Sequence, residues 1–260
     1  MRITILGSGS EGNALLLESR TTTVLVDAGL SHRKLVQRFA ALGREVPTNV
    51  GALIVTHSHS DHAAHASSYA TRLGCPIRAS EATMPWIRLG AAAQAETFTT
   101  GRPFVLGDIR IHSQSIPHDV PQVALRFATK STSIGLVTDL GHVPKGLRRF
   151  LGDSEILLIE SNHDPEMLAE GPYPATLKQR VSGSHGHLSN GQAGDLLAGL
   201  GYVPKCVVLM HLSETNNSPR LARSSAEAAL GHQGTQLLLA KQREPLELGP
   251  RLEPQLQLGL

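Results

Sequence analysis

The sequence has few aromatic residues, few cysteines and almost no net charge. Aromatic residues make up 3% of its 260 residues, so an interior must be built mainly from aliphatic side chains. The two cysteines, Cys75 and Cys206, lie far apart in sequence. They form no paired metal motif and are predicted to be buried cytosolic thiols, with a disulfide or a metal role as alternatives. A formal charge of +2 does not by itself indicate a nucleic-acid-binding protein, although a local basic patch is enough to contact phosphates.

Long apolar runs are also missing. The start, "MRITILGSGS", has one basic residue and a short apolar run that ends in glycine, unlike a secretory signal, and no stretch reaches transmembrane length. We therefore predict a cytoplasmic protein with no membrane partner. The length is ample for one α/β domain, and no linker divides it. We predict one domain over residues 1–242, followed by a Pro/Leu-rich tail over residues 243–260.

Short apolar runs alternate with helical patterns along the chain. This mixture predicts an α/β protein with two stacked sheets and helices outside. The predicted strands cover residues 2–6, 14–18, 21–29, 76–79, 103–106, 109–116, 122–129, 133–138, 155–161 and 205–210. The predicted helices cover residues 31–43, 62–73, 142–151, 190–200 and 219–231.

Histidine is concentrated in one segment. The stretch "THSHSDHAAH", residues 56–65, places four histidines and an aspartate directly after an apolar run. His57 and His59 can aim at one point if the strand opens into an extended loop. Asp61 and His62 begin the following helix and diverge enough to serve a neighbouring ion. Such a mixture of imidazole and carboxylate donors is typical of zinc and manganese sites.

This segment resembles the metal-binding motif of the metallo-β-lactamase superfamily, whose fold is an αββα sandwich with a dinuclear metal site at the sheet edges. The resemblance implies two mixed β-sheets flanked by helices, and it extends from the first strand to residue 213. Further stretches resemble the family's landmarks in the same order: "VDAG" (26–29), "SIPHD" (115–119), "GLVTDLG" (135–141) and "VVLMHLS" (207–213).

The resemblance also implies a ligand set for two divalent ions, zinc or manganese, and no organic cofactor. The first ion would be held by His57, His59 and His118. The second would be held by Asp61, His62 and His211, with Asp139 bridging the two ions. Asp27 would support the loop that carries the ligands, and Asp61 and Asp139 would also count among the catalytic residues.

The stretch "SHGHLSNGQAGDLLA" (184–198) distinguishes among the reactions that this fold hosts. It places His187 beside the start of a predicted helix. The N-terminus of a helix attracts anions. A protonated imidazole there could stabilise phosphate charge or protonate a leaving oxygen. The stretch resembles the histidine motif of the tRNA 3′-processing endonucleases. In "LLIESNHD" (157–164), Glu160 stands where that family has an acidic residue that pairs with the histidine.

The combination of "GSGSEGNA", "THSHSDH", "TDLGHV", "ESNHD", "GHLSN" and "HLSETNN" is most similar to the YycJ/WalJ group of the superfamily. Members are bacterial cytoplasmic proteins regarded as 5′-to-3′ exonucleases on double-stranded DNA, which implies DNA as the substrate. No aromatic residues are interleaved with basic ones, so contacts to the phosphate backbone are expected rather than base stacking. The basic residues expected to line the substrate path are Lys145, Arg148, Arg149, Lys178 and Arg180.

Three alternatives stay open. A small-molecule phosphodiesterase would need every metal ligand and His187 but no basic path. A thioesterase or lactonase of the same fold would not need His187 in a phosphate role. A non-catalytic, metal-bound regulator would have no reason to keep an open dinuclear centre.

Overall fold

A computed structural model describes residues 1–231 and 234–249. The strands are β1 (Arg2–Gly7), β2 (Ala14–Glu18), β3 (Thr23–Val26), β4 (Ala52–Ile54), β5 (Ile77–Ser80), β6 (Ala95–Phe98), β7 (Phe104–Leu106), β8 (Ile109–Ile116), β9 (Gln122–Ala128), β10 (Ser133–Val137), β11 (Ile156–Glu160), β12 (Cys206–Met210), β13 (Gln236–Leu239) and β14 (Leu246–Leu248). The helices are α1 (His32–Ala41), α2 (Ser60–Ala63), α3 (Ala66–Leu73), α4 (Leu147–Leu151), α5 (Pro165–Glu170), α6 (Ala175–Ser182), α7 (Asn190–Ala198) and α8 (Pro219–Leu230), with a 3₁₀ helix over Met84–Trp86. Within these described residues, none of the helices has both the length and the apolar character needed to cross a membrane.

The strands form two seven-stranded mixed sheets. The first has the order β14-β1-β2-β3-β4-β5-β6, and the second has the order β13-β12-β11-β10-β9-β8-β7. In the first sheet, β1 to β3 pair antiparallel and β3 to β6 pair parallel. In the second sheet, β10 to β13 pair parallel, and β9 lies antiparallel to β10.

Each parallel block brings the loops after its strands to one sheet edge. In the first sheet, the loops after β3 and β4 begin with Asp27 and with the segment that contains His57. In the second sheet, Glu160 ends β11, and Asp139 and His211 follow β10 and β12. The carboxyl edge of parallel strands is where α/β proteins build their ligand sites, so the topology places predicted site residues at that edge in both sheets.

The chain divides into two compact units. Unit 1 comprises residues 1–111 together with the chain from Ala240, and unit 2 comprises His112–Leu239. In unit 1, Phe39 of α1 and Tyr69 of α3 are buried with Leu25 and Leu53 of the sheet in one apolar cluster. The Tyr69 hydroxyl donates to the Leu30 carbonyl at 2.6 Å, so its polar end is satisfied inside the core.

Unit 2 has a separate apolar cluster. Leu151 of α4, Leu196 of α7 and Ala226 of α8 pack with Leu157 and Val207, the inner residues of β11 and β12. Helices therefore cover a face of the parallel block whose edge carries Asp139 and His211. The prediction of a single domain over residues 1–242 stays a prediction.

The segment predicted to be a tail begins within the first sheet. Strand β14 pairs antiparallel with β1, with Leu246 opposite Ile5. Glu247 of this strand is buried, accepts a hydrogen bond from Thr4 Oγ1 at 3.1 Å and forms an ion pair with Arg44. Residues 250–260 of the predicted tail lie outside the described residues.

Candidate functional site

The histidine-rich loop follows β4 and leads into α2 in unit 1. The centroid of the His57 ring lies 4.8 Å from that of His59 and 4.1 Å from that of His62. His57 and His62 are fully buried, whereas His59 and Asp61 are partly exposed. Unit 1 thus gathers three imidazoles in a small volume, with Asp61 Oδ2 3.6 Å from His62 Nε2.

Asp27 orients this loop from the end of β3. Its Oδ1 accepts the Thr56 backbone N–H at 2.8 Å, and its Oδ2 lies 2.7 Å from His62 Nδ1. A carboxylate at that distance fixes the His62 tautomer with the proton on Nδ1, which leaves the lone pair on Nε2. This carboxylate–imidazole pairing is the usual support of a metal-ligating histidine. The geometry therefore suits the supporting role predicted for Asp27.

Asn13 is a site residue for which the sequence alone gives no role. Its Nδ2 lies 2.8 Å from His62 Nε2 and 3.4 Å from Asp61 Oδ2, and its backbone N–H donates to the Asp61 carbonyl at 2.7 Å. The side-chain amide therefore donates to the same Nε2 lone pair that a cation would use. The only sequence signal for Asn13 is its position at the end of the glycine-rich turn "GSGSEGN" after β1.

Gly29 allows the backbone of the ligand loop to lie against the segment "VDAG". A Cβ atom at this position would lie 1.7 Å from the Asp61 carbonyl oxygen. On either side, the Ala28 N–H donates to the His62 carbonyl at 2.6 Å, and the His65 N–H donates to the Ala28 carbonyl at 2.9 Å. Only a residue without a side chain permits this approach, so Gly29 has a packing reason to be glycine.

Unit 2 gathers a second cluster, formed by Asp139, Glu160, His187 and His211. Each of the four offers a nitrogen or oxygen atom, and these atoms all lie within 4.8 Å of one another. Asp139 Oδ1 lies 3.5 Å from Nδ1 of both His187 and His211. Asp139 and His211 follow β10 and β12, Glu160 ends β11, and His187 lies in the loop before α7, so the cluster depends on non-local folding.

Glu160 lies at the centre of this cluster. Its Oε1 is 2.7 Å from His187 Nδ1 and 3.2 Å from His211 Nδ1, and its Oε2 accepts the backbone N–H of Leu188 at 2.9 Å. Burial opposes the charge on this carboxyl, but the attraction of His187 and the hydrogen bonds from both histidines outweigh it. Together they lower the pKa of Glu160 to about 2.

The same pairing changes the proton affinity of His187. Burial would lower the pKa of this imidazole, but the charge of Glu160 and the hydrogen bond to it raise the pKa above its usual value. A protonated His187 whose Nδ1–H donates to Glu160 has a second proton on Nε2. Its side chain is 20% exposed beside Asp139 and His211, so a proton on Nε2 would be accessible there.

His118 lies beside this cluster within unit 2. Its ring centroid is 5.5 Å from that of His187, and its Nδ1 lies 3.2 Å from the Gly186 carbonyl oxygen. A carbonyl can only accept, so Nδ1 is the donor in this contact. His118 Nε2 lies 3.4 Å from Asp119, which also pairs with Arg180 at 2.7 Å.

A buried amide network fixes the loops around His187 and His211, and the sequence alone gives its members no role. The Ser161 hydroxyl donates to Asn190 Oδ1 at 2.6 Å, and the Asn190 amide donates to Asn217 Oδ1 at 2.8 Å. Asn162 Nδ2 donates to the His211 carbonyl at 2.9 Å. Asn190 and Asn217 belong to the stretches "GHLSN" and "HLSETNN", whose polar composition is the available signal.

Known proteins resemble this chain over most of its length. The family described as "Beta-lactamase superfamily domain" matches residues 22–212. The exodeoxyribonuclease WalJ of Streptococcus pneumoniae is 36% identical over 88% of this chain and 90% of that protein. The exodeoxyribonuclease YycJ of Bacillus anthracis is 31% identical over 90% of this chain and 90% of that protein. The chain belongs to the metallo-β-lactamase superfamily.

A solved structure has the same fold. The metallo-β-lactamase fold protein YhfI of Bacillus subtilis has a TM-score of 0.72 to this chain at 20% identity, covering 95% of this chain and 98% of that one. The metallo-β-lactamase fold with two mixed sheets and flanking helices, predicted from the sequence, is therefore confirmed. The predicted similarity to the YycJ/WalJ group is confirmed as well.

Two of the basic residues predicted to line a substrate path form hydrogen bonds within unit 2. Lys145, Arg148 and Arg149 are exposed in or just before α4, but the Arg148 guanidinium donates to the Asp195 carbonyl at 3.1 Å. On α6, Lys178 donates to the Ala169 carbonyl at 2.6 Å.

Arg149 instead faces a cavity within unit 2. The cavity has a volume of about 320 Å³, and its lining includes Arg126, Arg149 and His112. Arg126 Nε is buried there without a hydrogen-bond partner among the described residues. Two arginines on one concave surface favour an anion.

Proposed function

We propose that this protein is a metal-dependent 5′-to-3′ exonuclease that hydrolyses phosphodiester bonds of double-stranded DNA. The observation that carries the proposal is the ion pair of Glu160 and His187 beside Asp139 and His211, because it provides a proton donor for a leaving oxygen. The relatives WalJ and YycJ are named exodeoxyribonucleases, and that activity supports the same substrate class here. We place the protein in the cytoplasm, where its substrate would lie.

The proposal includes two divalent ions, zinc or manganese. His57, His59 and His118 would hold one ion, Asp61, His62 and His211 the other, and Asp139 would bridge them. The donor set fits such ions: it mixes imidazole nitrogens with carboxylate oxygens, and Asp27 leaves the Nε2 lone pair of His62 available. When bound, divalent ions lower the pKa of water and stabilise negative charge on a phosphate.

The protein's own contribution to the reaction is the placement of a proton. Glu160 stays ionised, holds His187 through Nδ1 and keeps that imidazole protonated. His187 Nε2 would then donate its proton to the oxygen that leaves the scissile phosphate. General acid catalysis by a positioned side chain contributes a factor of about 10²–10⁴ to the rate.

The substrate backbone would be held by the basic surface of unit 2. Arg126 and Arg149 share one cavity, and Lys145 and Arg148 are charged side chains in or just before α4. Such contacts attract any DNA sequence, which an exonuclease requires, and they carry no sequence information. This chemistry needs no organic cofactor and no membrane.

A substrate panel tests the proposal. Purified protein reconstituted with zinc or manganese would be given 5′-phosphorylated duplex DNA, a generic small phosphodiester and a thioester. We expect duplex DNA to be degraded and the thioester to remain intact. Turnover of the small diester with duplex DNA untouched would instead assign a small-molecule phosphodiesterase. Turnover of the thioester alone would remove the phosphate role of His187, and no turnover of any substrate would favour a non-catalytic regulator.

A further inference from the structure

The single tryptophan of the chain is exposed on a short turn of unit 1. Trp86 is 65% exposed at the end of the 3₁₀ helix that follows β5. Tryptophan is highly buried on average, and it is one of the residue types enriched at interfaces. Trp86 is therefore a candidate contact residue.

The turn holds Trp86 outward because its backbone is anchored on both sides. Before it, buried Thr83 donates its N–H to Ser80 Oγ at 3.0 Å. After it, Ile87 is 6% exposed and belongs to the apolar cluster of unit 1. The Trp86 N–H donates to the Thr83 carbonyl at 3.0 Å, and the Ile87 N–H donates to the Met84 carbonyl at 3.1 Å. These anchors fix the backbone of the turn, on which the Trp86 side chain is exposed.

The turn lies at the sheet edge that carries the predicted ligands of unit 1. Strand β5 pairs parallel with β4, so the loops after both strands leave the same edge. The loop after β4 contains His57, and neighbouring strands are about 4.8 Å apart. The Gly90 N–H donates to Ser67 Oγ at 2.8 Å, which ties the Trp86 turn to α3, the helix that follows the ligand loop.

The charge around the turn fits a nucleic acid. Between residues 82 and 95 the only charged side chain is Arg88, which is exposed two positions after Trp86. The turn therefore presents an aromatic face and a cation, while the flanking carboxylates have partners elsewhere: Glu81 accepts from Thr99 Oγ1 at 2.8 Å, and Glu96 pairs with Arg78. An aromatic ring stacks on a base of any sequence, and an arginine contacts the adjoining phosphate.

We propose that Trp86 stacks on a nucleobase of the DNA strand that enters the site, and that Arg88 contacts the neighbouring phosphate. The inference rests on the proposed function and specifies how that substrate is held. It also differs from the expectation that contacts go to the phosphate backbone alone. Stacking on one base would position the strand end beside the ligand loop without reading its sequence.

The lone tryptophan makes the contact directly observable. Metal-loaded protein would be titrated with duplex DNA whose phosphorothioate linkages resist hydrolysis, while the tryptophan emission is recorded. We expect saturable quenching. Replacing successive nucleotides near the 5′ end by abasic sites should abolish the quenching at one position, because an abasic site removes the base but keeps the phosphate.

Variants test the energetic contribution. Trp86→Ala should bind labelled duplex DNA roughly 5- to 100-fold more weakly, the usual range for losing one stacked base, whereas Trp86→Phe should keep most of the affinity. On DNA that is abasic at the contacted position, wild type and Trp86→Ala should bind equally. Val203→Ala is the matched control, because Val203 is 50% exposed and lies before β12, at the edge of its sheet opposite His211.

Two results would overturn the inference: unchanged emission on DNA binding, or equal affinity of wild type and Trp86→Ala for intact duplex. Emission that changes with protein concentration but not with DNA would instead identify a contact with a second copy of the chain. Failure of the proposed function looks different, because wild-type protein would then leave duplex DNA undegraded with either metal. If wild-type protein degraded duplex DNA and Trp86→Ala bound it as tightly as wild type, only the stacking proposal would be contradicted, and the proposed function would stand.

Discussion

In the proposed reaction, the chemistry of unit 2 depends on Glu160. It accepts from both His187 and His211 and therefore sets the proton positions of two imidazoles at once. The backbone of neighbouring site residues is itself unusual: Asp139 has a φ of 59° and His211 a φ of 54°, as Asp27 has 61° in unit 1. Such left-handed backbone is uncommon for residues other than glycine, and it concentrates at functional sites.

Replacing His187 tests the proton donor. His187→Ala should reduce the rate of DNA hydrolysis by about 10²–10⁴-fold, because the leaving oxygen loses its acid. Metal content, measured by elemental analysis, should not change. His185→Ala is the control, since His185 is exposed in the same loop without contact to Glu160 in the described structure, and its rate should stay near wild type. Loss of a metal ion from His187→Ala would show that His187 is a ligand.

Replacing Asp139 tests the proposed bridge. Asp139→Ala should lower hydrolysis by at least about 10²–10³-fold, the scale of removing one electrostatic group from an active site, while the chain stays folded by circular dichroism. Elemental analysis should find two ions per wild-type chain. Asp153→Ala is matched, because Asp153 also has a positive φ, 60°, in unit 2 but is not a member of the cluster. Near-wild-type turnover by Asp139→Ala would mean that the bridge is misassigned.

At the scale of elements, the ends of parallel strands do most of the positioning. Asp27 follows β3, the histidine-rich loop follows β4, and Glu160 ends β11 between Asp139 and His211. The predicted helix over residues 62–73 is in fact two helices, α2 and α3. The interruption occurs where the His65 N–H donates to the Ala28 carbonyl, so the contact with the "VDAG" segment replaces helical hydrogen bonds.

Gly29 tests whether this contact matters to the ligand loop. Gly29→Ala should destabilise the protein by about 1–3 kcal/mol in chemical denaturation, because the new Cβ meets the Asp61 backbone. It should also reduce metal content by displacing the loop. The control is Gly51→Ala, whose Cβ would lie an ordinary 3.4 Å from its nearest neighbour. If both variants matched wild type in stability and metal content, the close approach of Gly29 to the Asp61 backbone would not be needed to hold the ligand loop.

Sequence periodicity predicted elements best where the pattern is local. The predicted strands over 14–18 and 109–116 match β2 and β8, because β2 is an almost uninterrupted apolar run and β8 begins with isoleucines that alternate with polar residues. Sequence periodicity did not predict the strands β6 and β14. Strand β6 exposes three of its four residues, and β14 is a three-residue strand whose partner β1 lies at the other end of the chain. Neither leaves a local pattern to detect.

For the whole molecule, the sequence motifs were sufficient to predict the family and the fold. The motifs identified the candidate metal ligands, because a histidine or aspartate at a strand end contributes little to the packing of the core. The supporting residues Asn13, Ser161 and Asn217 could not be predicted, since ordinary polar residues acquire a role only through contacts between distant segments. The exposure of Trp86 is likewise a tertiary property.

The most direct test of the central claim is a metal-resolved digestion of end-labelled, 5′-phosphorylated duplex DNA. Protein stripped by a chelator would be titrated with zinc or manganese and incubated with duplexes labelled at the 5′ or the 3′ end of one strand. Protein stripped of metal should leave the duplex intact, and full nuclease activity should appear at two ions per chain. The 5′ label should be released at once in the smallest product, and the 3′-labelled strand should shorten stepwise. Intact duplex with either metal, or stepwise shortening of the 5′-labelled strand, would contradict the central claim.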